Sequence, residues 1–250
     1  MARFDRMASV EVGLRNDTFN GYIGTIKLSA LRISFSIQKN LAWSTNTASV
    51  KIWNLSQENR NRIKDYGDQV ILSAGYRQDA GEQLLFIGNT TQVSHAYDQP
   101  EIVTTLDCGD GERVLNQKSI TVSFKEKVPV RQVVQTIADQ LGLSISEFTA
   151  TDNVVYEQGF EYAGMGKNAL DKAVLRLGLR WSVQNGKLQI IPQYGTTSKP
   201  AIEINADTGM IGIPQRYTDK RAAVYLDGPR TGYIVQTTLR SDILPGDRLN

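Results

Sequence analysis

The stretch "SVKIWNLSQENRNRIKDYGDQVILSAGY", Ser49 to Tyr76, decides the fold, because it reads as a strand, a very short polar helix and a strand again. Val50 and Ile52 alternate with Lys51 and Trp53, the period-two pattern of a half-buried strand. Ser56 suits the N-cap, where its hydroxyl accepts from the free amides of the first turn, and Glu58 sits in that turn beside the helix dipole. The capping box is incomplete, since Asn59 stands where Glu or Gln would reach back. Ile63 is almost the only apolar residue of "NRNRIK", so a helix this short cannot stand alone and must lean on a sheet. "DYGD" stops it, and Val70, Leu72 and Ala74 resume the alternation in "QVILSAGY".

Three zones surround this clip. Residues 1–124 are strand-rich: "VEVGL" and "YIGTIKL" lead to "LRISFSIQKN", where Leu31, Ile33, Phe35 and Ile37 alternate with Arg32, Ser34, Ser36 and Gln38. After the clip come "QLLFIGNTTQVSHAY", "EIVTTLDCGD" and "SITVSF", with turns at "DAGE" and "YDQPE". Many short strands between turn signals predict a sandwich or barrel. In residues 125–195 the period changes. "VPVRQVVQTIADQLGLS" places Val130, Val133, Val134, Ile137 and Leu141 at helical spacing, with Pro129 in the first turn and Gly142 as the stop. A second amphipathic helix is predicted over 167–177, with Leu170, Val174 and Leu177 on one face and Gly178 as its stop. "QNGK" is the strongest hairpin turn signal in the chain. Residues 196–250 are β-like again, with turns at "ADTG", "LDGPRTG" and "LPGD". The fold class is therefore α+β, mainly β: a β domain, a small α+β middle domain, and the start or part of a second β domain. The text stops at "PGDRLN", where a strand is expected to begin; either another chain completes the last domain or the fold continues beyond Asn250.

Composition narrows the function. The 250 residues hold one to three domains, with 40% hydrophobic and 22% charged residues as in ordinary globular proteins. No apolar run approaches the length of a transmembrane span, and "MARFDRMASVEVGL" has no apolar core of an export signal. A net charge of +2 with dispersed basic residues leaves no nucleic-acid footprint. The single cysteine, Cys108, excludes an intramolecular disulfide and any multi-cysteine metal site.

The same scarcity bears on catalysis. The one histidine, His95, falls on a strand with no nucleophile motif nearby, and Cys108 ends an alternating strand where it serves as a small buried hydrophobe. "AGMGKNAL", Ala163 to Leu170, imitates a phosphate-binding loop, but Glu161 stands where the first glycine belongs and Asn168 replaces the magnesium-binding hydroxyl. "DCGDGE", Asp107 to Glu112, lacks the spaced oxygen ligands of a calcium loop and reads as a turn. No catalytic, cofactor-binding or metal residue is predicted. A carbohydrate-binding or wall-degrading module remains the alternative; it would need paired carboxylates or an aromatic platform. Asp107, Asp110 and Glu112 cluster only in a turn, and Trp43, Trp53 and Trp181 are scattered.

The run "SVKIWNLSQENRNRI…GDQVILSAGY", followed by "LLFIGNTTQV" and "VTTLDCGDG", resembles the first domain of phage baseplate hub proteins, in which a strand ending in an aromatic-Asn-Leu-Ser sequence precedes a short helix. "VPVRQVVQTIADQLGL", "ALDKAVLRLGLRWSVQNGKLQI" and "TGMIGIPQ" are similar to later segments of that family, so the resemblance covers most of the chain. It implies a non-enzymatic structural role in a tail. Two tube-like β-barrel domains per subunit would form a trimeric, pseudo-sixfold ring joining the hexameric tail tube to the trimeric central spike. A tube or spike-adjacent component of a related contractile injection system is a close variant. The implied partners are two further copies of the chain, the tail tube protein, the central spike protein, baseplate wedge proteins and the tape measure protein. The implied location is the virion tail, after synthesis in the host cytoplasm. On this view the short helix clips the side of a barrel, covering a sheet edge or meeting the next subunit. Arg32, Ser34, Ser36, Gln38, Trp53, Asn54, Gln57 and Arg60 become candidate interface residues, against the plainer reading of a solvated sheet face.

Overall fold

Alternation in the first zone becomes seven strands in the computed structural model, which describes residues 5–15, 22–41, 45–63, 66–149, 154–219 and 230–250. These are β1 (Arg6–Arg15), β2 (Tyr22–Leu28), β3 (Ile33–Gln38), β4 (Thr47–Trp53), β5 (Gln69–Tyr76), β6 (Gly81–Asp98) and β7 (Glu101–Gly109), with α1 (Gln57–Arg62) between β4 and β5. They form one antiparallel sheet in the order β2-β1-β5-β6-β7-β4-β3. Inward-pointing Val10, Val12, Ile26, Val50, Ile52, Leu72, Phe86 and Leu106 share a core with half-buried Ile33, Phe35 and Ile37 of β3.

The sheet turns at β6. This strand pairs with β5 as far as Asn89 and with β7 from Asn89 onward, and a bulge between Thr90 and Gln92 bends it at the change of partner. Two fully buried polar residues pin the corner. The Asp68 amide donates to Thr90 Oγ1 at 3.0 Å, the Thr90 amide donates to the Asp68 carbonyl at 2.8 Å, and the Arg15 amide donates to Asp68 Oδ1 at 2.7 Å. Residues of β1 and β5 line one cleft with residues of β3, from the far end of the strand order, so the sheet wraps over its core. The end strands β2 and β3 are not paired with each other among the described residues, so the expected barrel is an open one by its hydrogen bonds.

α1 follows its sequence. Ser56 Oγ accepts from the Asn59 amide at 3.3 Å, and Glu58 lies 3.9 Å from Arg62, one turn on. The helix buries none of its own residues; Leu55 and Ile63 on either side anchor it.

The middle zone comprises α2 (Glu112–Gln117), β8 (Ser119–Phe124), β9 (Val128–Pro129), α3 (Val130–Leu141), β10 (Ser144–Phe148), β11 (Val155–Tyr156), β12 (Phe160–Met165), α4 (Gly166–Val174) with a 3-10 turn after it, β13 (Leu179–Gln184) and β14 (Lys187–Pro192). All five predicted apolar positions of α3 are buried, and Gly142 caps it at φ +77°. β13 and β14 form the predicted hairpin through Asn185 and Gly186, both at positive φ, and β10 adds to β14 in parallel. Leu115 of α2 and Ile120 and Val122 of β8 pack into this second core with Val133, Ile137, Leu170, Trp181 and Leu188. On that packing we propose a domain division near Asp110, ahead of the boundary at residue 124 read from the sequence.

The third zone holds one hairpin, β15 (Met210–Asp219) and β16 (Arg230–Thr237). Its base is closed by the Met210 amide on the Asn205 carbonyl at 2.8 Å and the Thr238 amide on the Gly209 carbonyl at 2.9 Å. The final residues do not open a new strand: Leu249 bridges back in parallel to Ile202, and Thr197 Oγ1 donates to Asp247 at 2.8 Å. Most of the turn expected at "LDGPRTG" lies outside the described residues.

Gly75 of β5 sits so close to the β5–β6 turn that a Cβ there would lie 1.9 Å from the Gly81 carbonyl oxygen. Gly75→Ala is therefore expected to destabilise the first domain by about 1–3 kcal/mol. Urea denaturation followed by tryptophan fluorescence checks this; an unchanged midpoint would show that the turn opens without cost.

Candidate assembly surfaces

Arg32, at the entry to β3, lies with its guanidinium 4.4 Å over the Trp53 ring and 3.6 Å from Glu101. The Trp53 amide donates to the Arg32 carbonyl at 3.1 Å. Asn54 takes φ +56° at the end of β4, which lets its amide donate to the Ile102 carbonyl at 2.8 Å while its Oδ1 accepts from the Ile102 amide at 3.1 Å. Arg32, Trp53 and Asn54 thus meet Glu101 in one surface cluster. Ser34, Ser36 and Gln38 lie on the exposed face of β3 beyond it. Ser36 and Gln38 line a shallow groove with Thr47, Ser49, Thr91 and Asp107. Gln57 is exposed at the start of α1, and Arg60 turns back to donate to the Leu55 carbonyl. The eight sequence-predicted residues therefore divide into a cation–π cluster, a polar strip on an edge strand, and one helix.

A second polar cluster was not foreseen. Asp110, fully buried after β7, accepts from the Asn185 amide at 2.7 Å and the Gly186 amide at 2.9 Å, so the β13–β14 turn docks on its carboxylate. Asn46 bridges the same junction, donating to the Val183 carbonyl at 2.8 Å and to Gln184 Oε1 at 2.9 Å. Lys39 Nζ donates to Asn185 Oδ1 at 2.7 Å. Burial pushes the Asp110 carboxyl above the usual aspartate range, against the opposing pull of the two amides, Asn46 and Lys39. Burial also pushes Lys39 down, with Asp110 opposing. The sequence signal was an Asp in one turn and an Asn-Gly in another; nothing local links them.

The third surface is the β15–β16 hairpin. Every residue from Ile211 to Thr218 is exposed, Ile213 at 81% and, across on β16, Tyr233 at 71%.

The residues weighed for chemistry have structural surroundings. His95 Nδ1 lies 3.1 Å from Thr104 Oγ1, and Cys108 is buried, its thiol pushed up to about 12 by burial and then by Asp107. Gly166, in the phosphate-loop imitation, lets α4 meet α3: a Cβ there would lie 2.4 Å from a Leu141 methyl. Glu112 accepts from Thr45 Oγ1 at 3.0 Å and from Asn116 at 2.7 Å. Trp181 is buried, its indole donating to Asp171 at 2.8 Å, and Trp43 lies outside the described residues. Among the described residues no group of three or more His, Cys, Asp or Glu is placed to hold a metal, and no helix is long and apolar enough to cross a membrane.

Comparison with known proteins places this geometry. The model of the family described as baseplate hub gp41 matches residues 10–225. No curated protein matches the sequence. Among solved structures, the tail protein from Neisseria meningitidis superposes with a TM-score of 0.57 at 12% identity, over 95% of this chain and 70% of that one. The 43 kDa tail protein of prophage MuSo2 from Shewanella oneidensis gives 0.56 at 10% identity, over 85% of this chain and 62% of that one. The half-lidded Francisella PdpA-VgrG complex gives 0.51 at 9% identity, over 86% of this chain and 37% of that one. At these identities the likeness is one of fold, and the chain spans less than two thirds of the Shewanella protein's length.

Asp110→Asn tests the junction through pH. A carboxyl raised in the folded state binds its proton more tightly than the unfolded chain does, so its contribution is fully present below the ordinary aspartate value and is lost as pH rises through the folded value. The stability of the wild type relative to Asp110→Asn should therefore rise between pH 7 and pH 4, read from urea midpoints. A difference that shrinks toward acid would mean that the amides outweigh burial.

Proposed function

The chain belongs to the baseplate hub gp41 family, and from that premise we propose that it forms a trimeric ring joining the hexameric tail tube to the trimeric central spike. The family fixes a structural role in the phage tail baseplate; the ring and its neighbours are our reading. The family match over most of the chain carries it, and the surfaces support it. A sheet with a free edge on each end strand among the described residues, and a hairpin exposed along β15 from Ile211 to Thr218, is a subunit with surfaces left to cover. Two different surfaces on one subunit are what a closed ring of heterologous contacts requires.

In this role Arg32, Trp53 and Asn54 form one contact patch with Gln57 and Arg60 of the clip helix, and Ser34, Ser36 and Gln38 form a polar strip beside it. The tail tube and central spike proteins occupy the two ends of the ring, with baseplate wedge proteins outside and the tape measure protein at the bore. The subunit is made in the host cytoplasm and carried in the virion. Among the described residues the carbohydrate alternative draws no support from the tryptophans: Trp181 is buried and Arg32 stacks over the Trp53 ring.

Light scattering on the purified chain, alone and with its central spike protein, is expected to give a trimer or a trimer formed with the spike. A persistent monomer that ignores the spike and binds glycan overturns the hub reading. Arg32→Ala should leave the fold intact, since its side chain is 70% exposed, and weaken that assembly at least tenfold.

A further inference from the structure

The β15–β16 hairpin is the least explained part of the molecule. Its ten and eight strand residues pack chiefly on each other. Ile211, Tyr217 and Ile234 are each 52% exposed, alongside Ile213 and Tyr233. A two-stranded ribbon of this kind is marginal in water by itself. The eight residues of β16 supply part of the roughly 20–30 per side of a standard interface.

The ribbon's edges are unequal. β15 carries Pro214 within a bulge between Ile211 and Gln215, and Gly212 there lies at φ +72°, so this edge cannot take a further strand. β16 is regular from Arg230 to Thr237, with Tyr233 and Val235 on one face and Ile234 and Gln236 on the other. In the first sheet, the two end strands β2 and β3 each keep one free edge among the described residues. β2 has Ile26 and Leu28 already buried and carries Lys27, paired with Glu11 at 2.9 Å, which blunts it. β3 leaves Ile33, Phe35 and Ile37 only half-buried, with Ser34, Ser36 and Gln38 on its other face.

We propose that β16 of one copy adds as a strand to the free edge of β3 in the next copy. Tyr233 and Val235 then cover the half-buried Ile33, Phe35 and Ile37, and Gln236 lies among Ser34, Ser36 and Gln38. Backbone hydrogen bonds supply the pairing and the alternating faces supply the register. Each copy gives one edge and receives on another, so the contact is heterologous. The inference rests on the ring reading and specifies its contact.

The test uses the full chain. Tyr233→Lys with Ile234→Lys changes exposed residues only and should lower the assembled mass to monomer, or weaken association at least tenfold. Tyr194→Lys, at another exposed tyrosine, should leave it unchanged. Ser36→Cys combined in turn with Ile234→Cys and Gln236→Cys should yield disulfide-linked oligomers under mild oxidation, while buried Cys108 stays out of the reaction. A wild-type trimer that persists in the lysine variant and forms no cross-link overturns this contact and leaves the ring reading standing. A trimer that persists but no longer binds spike assigns the hairpin to the spike and also overturns it. A wild type that stays monomeric with and without spike removes the ring and this contact together.

Discussion

A carboxylate held out of water between the first sheet and the β13–β14 turn sets the geometry of this subunit. An isolated buried charge costs several kcal/mol, and Asp110 is tolerable only because the β13–β14 turn brings two amides to it. The turn can do so because Asn185 and Gly186 both take positive φ and aim their N–H groups the same way. The position of the middle domain thus follows from where β7 ends. Gln189 of β14 donates in turn to the Pro245 carbonyl at 3.0 Å, and Asp247 holds Thr197 and Lys199. Short polar contacts thus tie the first sheet to the β13–β14 hairpin, and that hairpin to the segments around Thr197 and Asp247.

Much of the polar chemistry in the molecule is committed to shape in this way. Asp68 and Thr90 fasten the corner of β6, Asp171 positions Trp181, and Glu112 ties α2 to the loop before β4. Glycines serve the same end: Gly88 sits at the corner, where a Cβ would lie 2.6 Å from the Phe86 ring and 2.7 Å from the Gly109 carbonyl. Buried carboxylates and crowded glycines are usual marks of an active site. Here each is accounted for by a contact inside the fold, consistent with a family whose members build baseplates.

Periodicity made the local elements legible. Alternation marked β3, β4, β5 and β7, the 3.6-residue stripe marked α3, Ser56 marked the start of α1, and Asn185-Gly186 marked its hairpin. What stayed hidden depends on partners far away in the chain. α2 buries only Leu115, too little for a stripe, and follows a glycine turn that reads as a loop. The change of partner along β6 leaves its alternation unbroken, so a corner looks like one long strand. Asp110 meets residues some 75 positions away, and neither turn carries a mark of the other. Ser34, Ser36 and Gln38 read as polar positions on a strand, a pattern that separates surface from core but not a solvated face from a contact. The hairpin's exposed Ile213 and Tyr233 read as ordinary strand residues, because sequence shows that a side chain is apolar without showing whether the fold covers it.

In the proposed ring, closure would place a demand on stiffness, and the polar contacts of this fold bear on it. When a donor edge and a receiving edge lie on different parts of the subunit, the rotation between successive copies depends on how those parts are oriented to each other. A loose junction would let copies add at varying angles and grow open chains; a fixed one returns the last copy to the first. The Asp110 junction and the tied hairpin base remove that freedom, and Pro214 and Lys27 remove two of the edges that would let growth branch. The buried carboxylate, weak as a source of stability, is then a source of angular definition. In the ring proposed here, angle rather than stability is the quantity that closure depends on.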